Sequence, residues 1–257
     1  LRKQDQCFQS RYHVYFCRAP ETSLRRLTAI SALIVLSVIF TRCGEDAAFE
    51  KHITEGVIEF DVTYPEMDSN NLMLEMLPDK MVLMFKDDRY KSELKTAGGI
   101  VEMAVISDAS KQRLFNMIKL FSDRYVLELD QAGAKEMTNV LPPFTLKTTS
   151  ESSKLADARC TKIILDFNDP NKENYEFFYT DDIELKNPNW FTPYSDITGV
   201  LLDYQVDNYG MHMRLKATKI IPQEIDTNVF HVNDNYRNLN KEEFDALVVK
   251  NMEVFLE

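Results

Sequence analysis

The sequence predicts a mainly β protein of the α+β class, built on antiparallel sheet with few helices. Three observations predict it. Period-2 alternation recurs along residues 53–232, turn signals separate the alternating runs at short spacing, and only two segments carry helical periodicity. Short turns between successive strands mean hairpins and a meander, because a parallel crossover needs a dozen or more residues.

In the first strand Ile58, Phe60, Val62 and Tyr64 share one face, and Glu59, Asp61 and Thr63 share the other. Val200, Leu202, Tyr204 and Val206 alternate with Asp203, Gln205 and Asp207. Met211, Met213, Leu215 and Ala217 alternate with His212, Arg214, Lys216 and Thr218. One apolar and one polar face is usual where an antiparallel sheet has a wet side. Turns are expected at Pro78-Asp79, Asp87-Asp88, Gly98-Gly99, Asp108-Ala109, Asn168-Asp169-Pro170-Asn171 and Asn208-Tyr209-Gly210. The Asn168-Asp169-Pro170-Asn171 cluster joins residues 161–167 and 175–180 into a hairpin.

Other runs are apolar on both faces. Residues 71–86 read as strand, NLMLEMLPDKMVLMFK, with Met81, Leu83 and Phe85 on one side and Val82 and Met84 on the other. Residues 100–106, IVEMAVI, and 114–121, LFNMIKLF, behave alike. Both faces of such strands must be covered, one by helices and the other by a second sheet or a ligand. Met73, Met76, Met81, Met84, Met103 and Met117 all fall in this third of the chain. Flexible, polarizable Met fills irregular core gaps and also suits adaptable apolar binding surfaces.

Of the two helices, residues 130–140 are the weaker, since Gly133 costs ~1 kcal/mol against Ala. The C-terminal helix has a full start signal. Asn240 is the N-cap, Glu243 completes a capping box, and Leu239 staples to Phe244. Phe244, Leu247, Val248, Met252 and Phe255 then form one apolar stripe.

The formal net charge of -11 hides a split. Residues 1–43 carry 7 basic and 2 acidic side chains; subtracting these from 30 and 41 leaves 23 and 39, a balance of -16, for the rest. An acidic body argues against nucleic acid as a partner, because phosphate neutralisation needs clustered Lys and Arg. In the basic head, Arg25 and Arg26 precede residues 27–40, LTAISALIVLSVIF, a run without charge. Fourteen helical residues span roughly 21 Å at 1.5 Å each, short of the ~30 Å hydrocarbon core. This is the pattern of a secretory signal. It ends at Thr41-Arg42-Cys43-Gly44, which resembles the lipobox of bacterial lipoproteins, where the cysteine is diacylated and begins the mature protein. Arg42 departs from the small residue usual there. Two acyl chains hold a soluble domain on a membrane where one does not. No Met precedes Met67, and translation is expected to begin near Leu24 or Leu27 from a non-AUG codon, which would remove Cys7 and Cys17. The expected organisation is a signal segment over 1–43, a short acidic linker over 44–52 and one β-rich domain over 53–257.

Signatures of chemistry are sparse. Seven glycines leave no Gly-rich phosphate loop, dinucleotide fingerprint or nucleophile elbow. His52, His212 and His231 stand in no His-Glu-x-x-His arrangement, which leaves only a zinc site assembled from three separated histidines. Asp166, Asn168 and Asn171 open a calcium-like segment, but Asn171 and Phe177 stand where Gly and Glu are required. Asp181-Asp182 reads as a solvated strand end. Cys160 lies between Arg159 and Lys162, which favour a thiolate, yet without a His nearby it reads as structural. No catalytic residue, metal or cofactor is expected.

The lipobox, the hairpin RCTKIILDF–YEFFYTDDI, the stretch GVLLDYQVDNYGMHMRLKATKI and the closing IDTNVFHV together resemble uncharacterised Gram-negative lipoproteins related to the lipoprotein-carrier (LolA/LolB-like) superfamily. Tyr179, Thr180, Asp181, Asp182 and Ile183 match the return-strand ending, and Leu202-Asp203-Tyr204 and Ala217-Thr218 match the next pair. Asp157-Ala158-Arg159 replaces the usual Gly-Tyr before the hairpin cysteine. The resemblance implies a curved antiparallel half-barrel with helices across its open side and an acyl-binding concave face. The expected partners are a lipid or acyl-chain ligand and the outer membrane, the latter through acylated Cys43. Candidate lining residues are Met81, Leu83, Phe85, Met103, Phe115 and Met117, whose strands have no wet face. The rival expectation is a structural or protein-interaction module of the envelope, its protein partner unknown.

Overall fold

The computed structural model describes residues 52–68, 70–138 and 141–256. The signal segment, Cys43 and nearly all of the linker lie outside the described residues. A first meander holds β1 (Glu55–Thr63), β2 (Lys80–Lys86), β3 (Arg89–Lys95), β4 (Val101–Asp108), β5 (Arg113–Leu120) and β6 (Asp123–Leu129). Helix α1 (Gln131–Thr138) leads to a second meander of β7 (Thr145–Leu155), β8 (Ala158–Asp166), β9 (Tyr175–Thr180), β10 (Val200–Asn208) and β11 (Met211–Pro222). The short β12 (Arg237–Asn238) and helix α2 (Lys241–Leu256) follow.

All twelve strands of the described residues form one curved sheet in the order β12-β6-β5-β4-β3-β2-β1-β11-β10-β9-β8-β7. The first and the last of the long strands, β1 and β11, pair antiparallel and fuse the two meanders. Only β12 runs parallel to its neighbour, β6. β6 and β7 follow each other in the chain yet stand in opposite halves of the sheet and do not pair, so it remains open. This is the α+β half-barrel expected of the sequence, and α2 is its C-terminal helix.

Alternation sets the faces. Phe60 lies opposite both Ala217 and Met81, and Val62 lies opposite Leu215. With Leu83, Phe85, Leu202 and Met213 they bury one apolar face, here called inner because it holds the cavity described below. Each large side chain fully buried there contributes about 1.5–3 kcal/mol. The outer face is apolar where Val57, Ile106, Met117 and Val126 cluster, and the coil after β11 covers it with Ile225 and Phe230. A strap of coil, not a second sheet, therefore satisfies the second apolar side of β4 and β5.

The run 71–86 is not one strand. Leu72–Met76 forms a 3-10 turn, and β2 starts only at Lys80. Pro78 interrupts the run, its carbonyl accepting from the Tyr64 hydroxyl at 2.8 Å. Leu77 is buried in the same cluster as Phe244 and Val248 of α2, so the segment caps the inner space and does not lengthen the sheet. β5 likewise stops at Leu120; Phe121 occupies the next turn at φ 57° and is 74% exposed. Two hairpins, at Ala156-Asp157 and Tyr209-Gly210, place both central residues at positive φ, the type I′ geometry whose twist matches that of the flanking strands.

The start of α2 is built as its sequence implies. Asn240 Oδ1 accepts from the Glu243 amide at 2.9 Å, and Glu243 Oε2 accepts from the Asn240 amide at 3.1 Å. Leu239, Phe244 and Val248 are buried together, with Leu247 packed against them.

Candidate ligand cavity

The cavity exists because residues 181–199, between β9 and β10, do not continue the sheet but cross its inner face. A Cβ on Gly199 would lie 2.4 Å from Tyr179 Cδ2 and 2.6 Å from the Thr180 carbonyl oxygen, so the return into β10 requires glycine. Buried Asn189 closes the segment on itself, its amide donating to the carbonyls of Ile197 at 2.7 Å and Gly199 at 3.0 Å. Trp190 Nε1 donates to Ser107 Oγ on β4 at 2.9 Å, with both residues buried. The Thr138 hydroxyl at the end of α1 donates to the Phe191 carbonyl. The Tyr194 hydroxyl donates to the Gln205 carbonyl at 3.1 Å, and its ring meets Phe177 edge-on at 4.9 Å. Segment and helix are thus pinned to the sheet at their margins while its centre stays uncovered.

Between cover and sheet lies a cavity of about 220 Å³. Its walls include Met81, Leu83 and Val105 from the first meander, and Val206, Met213 and Leu215 from the second. A smaller hollow of about 60 Å³ shares Ser92, Leu94, Asn116 and Met137 with it and reaches Phe244 and Val248 of α2. Met137 of α1 stands at the junction, its Sδ accepting from Asn116 Nδ2 at 3.2 Å.

Asp207 is the one formally charged side chain among the described lining residues, and no Lys, Arg or His is among them. Its Oδ1 lies 2.8 Å from His212 Nδ1, while His212 Nε2 faces Gln205 Oε1 at 3.1 Å. Tyr90, Tyr194 and Tyr204 also line the space. Burial pushes all three phenols well above the usual tyrosine range, with Asp207 adding to the effect at Tyr194 and Tyr204 adding to it at Tyr90. They are neutral hydroxyls at physiological pH.

The structure divides the six candidate lining residues. Met81 and Leu83 line the main cavity, and Met103 lines the smaller hollow. Phe85 is fully buried in the inner core and borders neither. Phe115 and Met117 belong to the outer cluster under Ile225 and Phe230, although Met117 also borders the smaller hollow from the strand itself. Register explains the division: Met103 faces Ile118, whereas Ala104 faces Met117 and Ile106 faces Phe115. The inner face of β5 is therefore Leu114, Asn116 and Ile118. Sequence reasoning did not single out Tyr90, Ser92, Asn116 or residues 185–194 as a lining. Of the rest of the lining, Val200, Tyr204, Val206, Met213 and Leu215 lie on faces that the sequence marks as apolar by alternation.

Cys160 is buried, and burial raises its thiol pKa more than any neighbour lowers it, which fits a structural thiol despite the flanking cations. Asp182 accepts from the Arg159 amide at 2.9 Å and from its guanidinium at 3.1 Å, fastening the end of β9 to β8.

No family model matches the chain, and neither does any curated protein. Among solved structures it is similar to MucB in complex with MucA(peri), at 10% identity and a TM-score of 0.31, over 75% of this chain and 58% of that one. It is also similar to a β-barrel-like protein of a domain of unknown function, DUF1849, from Brucella abortus (10% identity, TM-score 0.31, 67% of this chain and 99% of that one). A third is LprF from Mycobacterium bovis (10% identity, TM-score 0.24, 66% and 88%). The match spans less than two thirds of the first neighbour's length, and likenesses this remote carry no argument about function.

Proposed function

We propose that this chain is a lipoprotein of the cell envelope, anchored to the outer membrane through acylated Cys43, that holds an apolar ligand non-covalently. The observation that supports the reading is the apolar cavity of about 220 Å³ on the inner face of an open sheet. An apolar cavity of roughly 150 Å³ already takes up benzene, and each methylene removed from water contributes about 0.8 kcal/mol. A few methylenes of an acyl chain therefore supply useful affinity without any charged contact. The reading needs no catalytic step, metal or cofactor, and it includes kinship with the lipoprotein-carrier superfamily.

One observation favours the rival reading, a structural or protein-interaction module. Ligand pockets usually enclose about 300–1,000 Å³, and this cavity falls below that range. Organic extraction of the natively purified full chain separates the two. An apolar compound recovered in near-stoichiometric amount supports ligand binding. A protein free of extractable lipid, and not protected from unfolding by acyl ligands, supports the interaction module. For the anchor, Cys43→Ala is expected to release the protein from membranes, and unchanged fractionation would count against lipidation.

A further inference from the structure

The wall of the cavity is apolar, but it is not uniformly so. Ser92 on β3, Val105 on β4 and Asn116 on β5 are direct register partners, so two polar side chains flank a valine in one row across the inner face. Tyr90 and Tyr204 line the same space. Among the described residues the hydroxyls of Ser92 and Tyr204 make no hydrogen bond, and the Asn116 amide bonds only to a methionine sulfur. A ligand that is hydrocarbon throughout would strip water from these groups and return nothing, which is costly for any buried donor or acceptor. A carboxylate or phosphate would fare no better. Among the described lining residues there is no cation, and the one formal charge, Asp207, has the same sign as those anions. An isolated charge moved into such a space is the most heavily penalised of all.

We propose that the cavity takes a neutral amphiphile, an acyl chain ending in an ester, amide or alcohol that exchanges hydrogen bonds with Ser92, Asn116 and Tyr204, and that it rejects the free fatty-acid anion. This rests on the ligand-binding reading above and narrows it to a chemical class. Hydroxyl and amide groups both donate and accept, so the row accommodates either polarity of a neutral partner. The high phenol pKa values of Tyr90 and Tyr204 agree, since these groups remain neutral when a ligand is seated.

The test uses the full chain in lipid nanodiscs, with unfolding followed by the fluorescence of Trp190, the single tryptophan. Decanoyl glycerol, decyl alcohol and decanoate are titrated at neutral pH, where the last is an anion. The two neutral ligands are expected to raise the unfolding temperature at concentrations at least tenfold below those decanoate needs. Tyr204→Phe, which keeps the ring and removes the hydroxyl, is expected to shrink that preference several-fold. So is Asn116→Leu, an independent check should the first variant fold poorly. Decanoate binding as tightly as the neutral ligands would overturn the proposal while leaving a lipid-binding cavity intact. Failure of all three ligands to bind would overturn the cavity reading as well.

Discussion

Leu83 stands on the inner face of β2, directly opposite Ser92, where it forms one wall of the cavity. Replacing it with Trp pushes a ring into open space. Overpacking a tight core costs about 1–3 kcal/mol, and here the empty volume is expected to hold the loss to the low end of that range. Acyl binding is expected to fall by at least tenfold. Chemical unfolding and ligand titration of Leu83→Trp check the two halves separately. Destabilisation without loss of binding would mean that the ligand sits elsewhere. The tyrosines make a second prediction at this scale. Burial, the largest influence on each, raises the pKa of Tyr64, Tyr90, Tyr194, Tyr204 and Tyr209. The native state thus holds protons that the unfolded chain loses near pH ~10. The corresponding stability is fully present below that pH and falls as pH rises above it. Denaturation midpoints measured against pH, alongside phenolate absorbance, are expected to stay level to about pH 9 and then drop together with the absorbance change.

Among the elements, the segment over residues 181–199 decides whether there is a cavity at all, and Trp190 ties it to the strand most distant in the chain. Trp190→Phe removes the bond to Ser107 and leaves that hydroxyl buried without its donor, a loss of about 1–3 kcal/mol. Hydrogen exchange is expected to quicken most through residues 185–197 and less in α2, whose Phe244 and Val248 share the buried cluster of Trp190 but whose capping box is local. This segment was not legible in the sequence. Its order comes from bonds that join Trp190 to Ser107 and Phe191 to Thr138, far apart in the chain, and from Asn189 and Tyr194 closing onto carbonyls a loop away, and no local periodicity records such partners. α2 is the opposite case, since Asn240, Glu243, Leu239 and Phe244 are neighbours in sequence and their mutual contacts follow from spacing alone. The strands fall between these. Alternation identified β1, β10 and β11, while 71–86 was misjudged because apolar character on both faces fits a buried turn as well as a buried strand.

The described domain is two meanders fused along β1 and β11, with an open edge at β7 and an inner face covered by the β9–β10 connection and the two helices. Antiparallel sheet and half-barrel followed from hairpin spacing and from the family resemblance. The pairing of β1 with β11 needs contacts 151 to 166 residues apart in sequence, from Thr63 with Arg214 to Gly56 with Pro222, and no pattern within a strand encodes them. The lining of the cavity suffered the same limit, since one position of register decided that Met103 faces inward and Phe115 outward. Methionine methyls offer the most direct test of the central claim, that the inner cavity is where an apolar ligand sits. Met81, Met137 and Met213 line it, Met103 borders the smaller hollow, and Met76 is exposed. With methyl-labelled methionine in the full chain, an added decanoyl ligand is predicted to shift Met81, Met137 and Met213 and to show intermolecular Overhauser contacts to them, leaving Met76 unmoved. Contacts confined to Met76 or to Met117 of the outer cluster, or no response at any methionine, would contradict it.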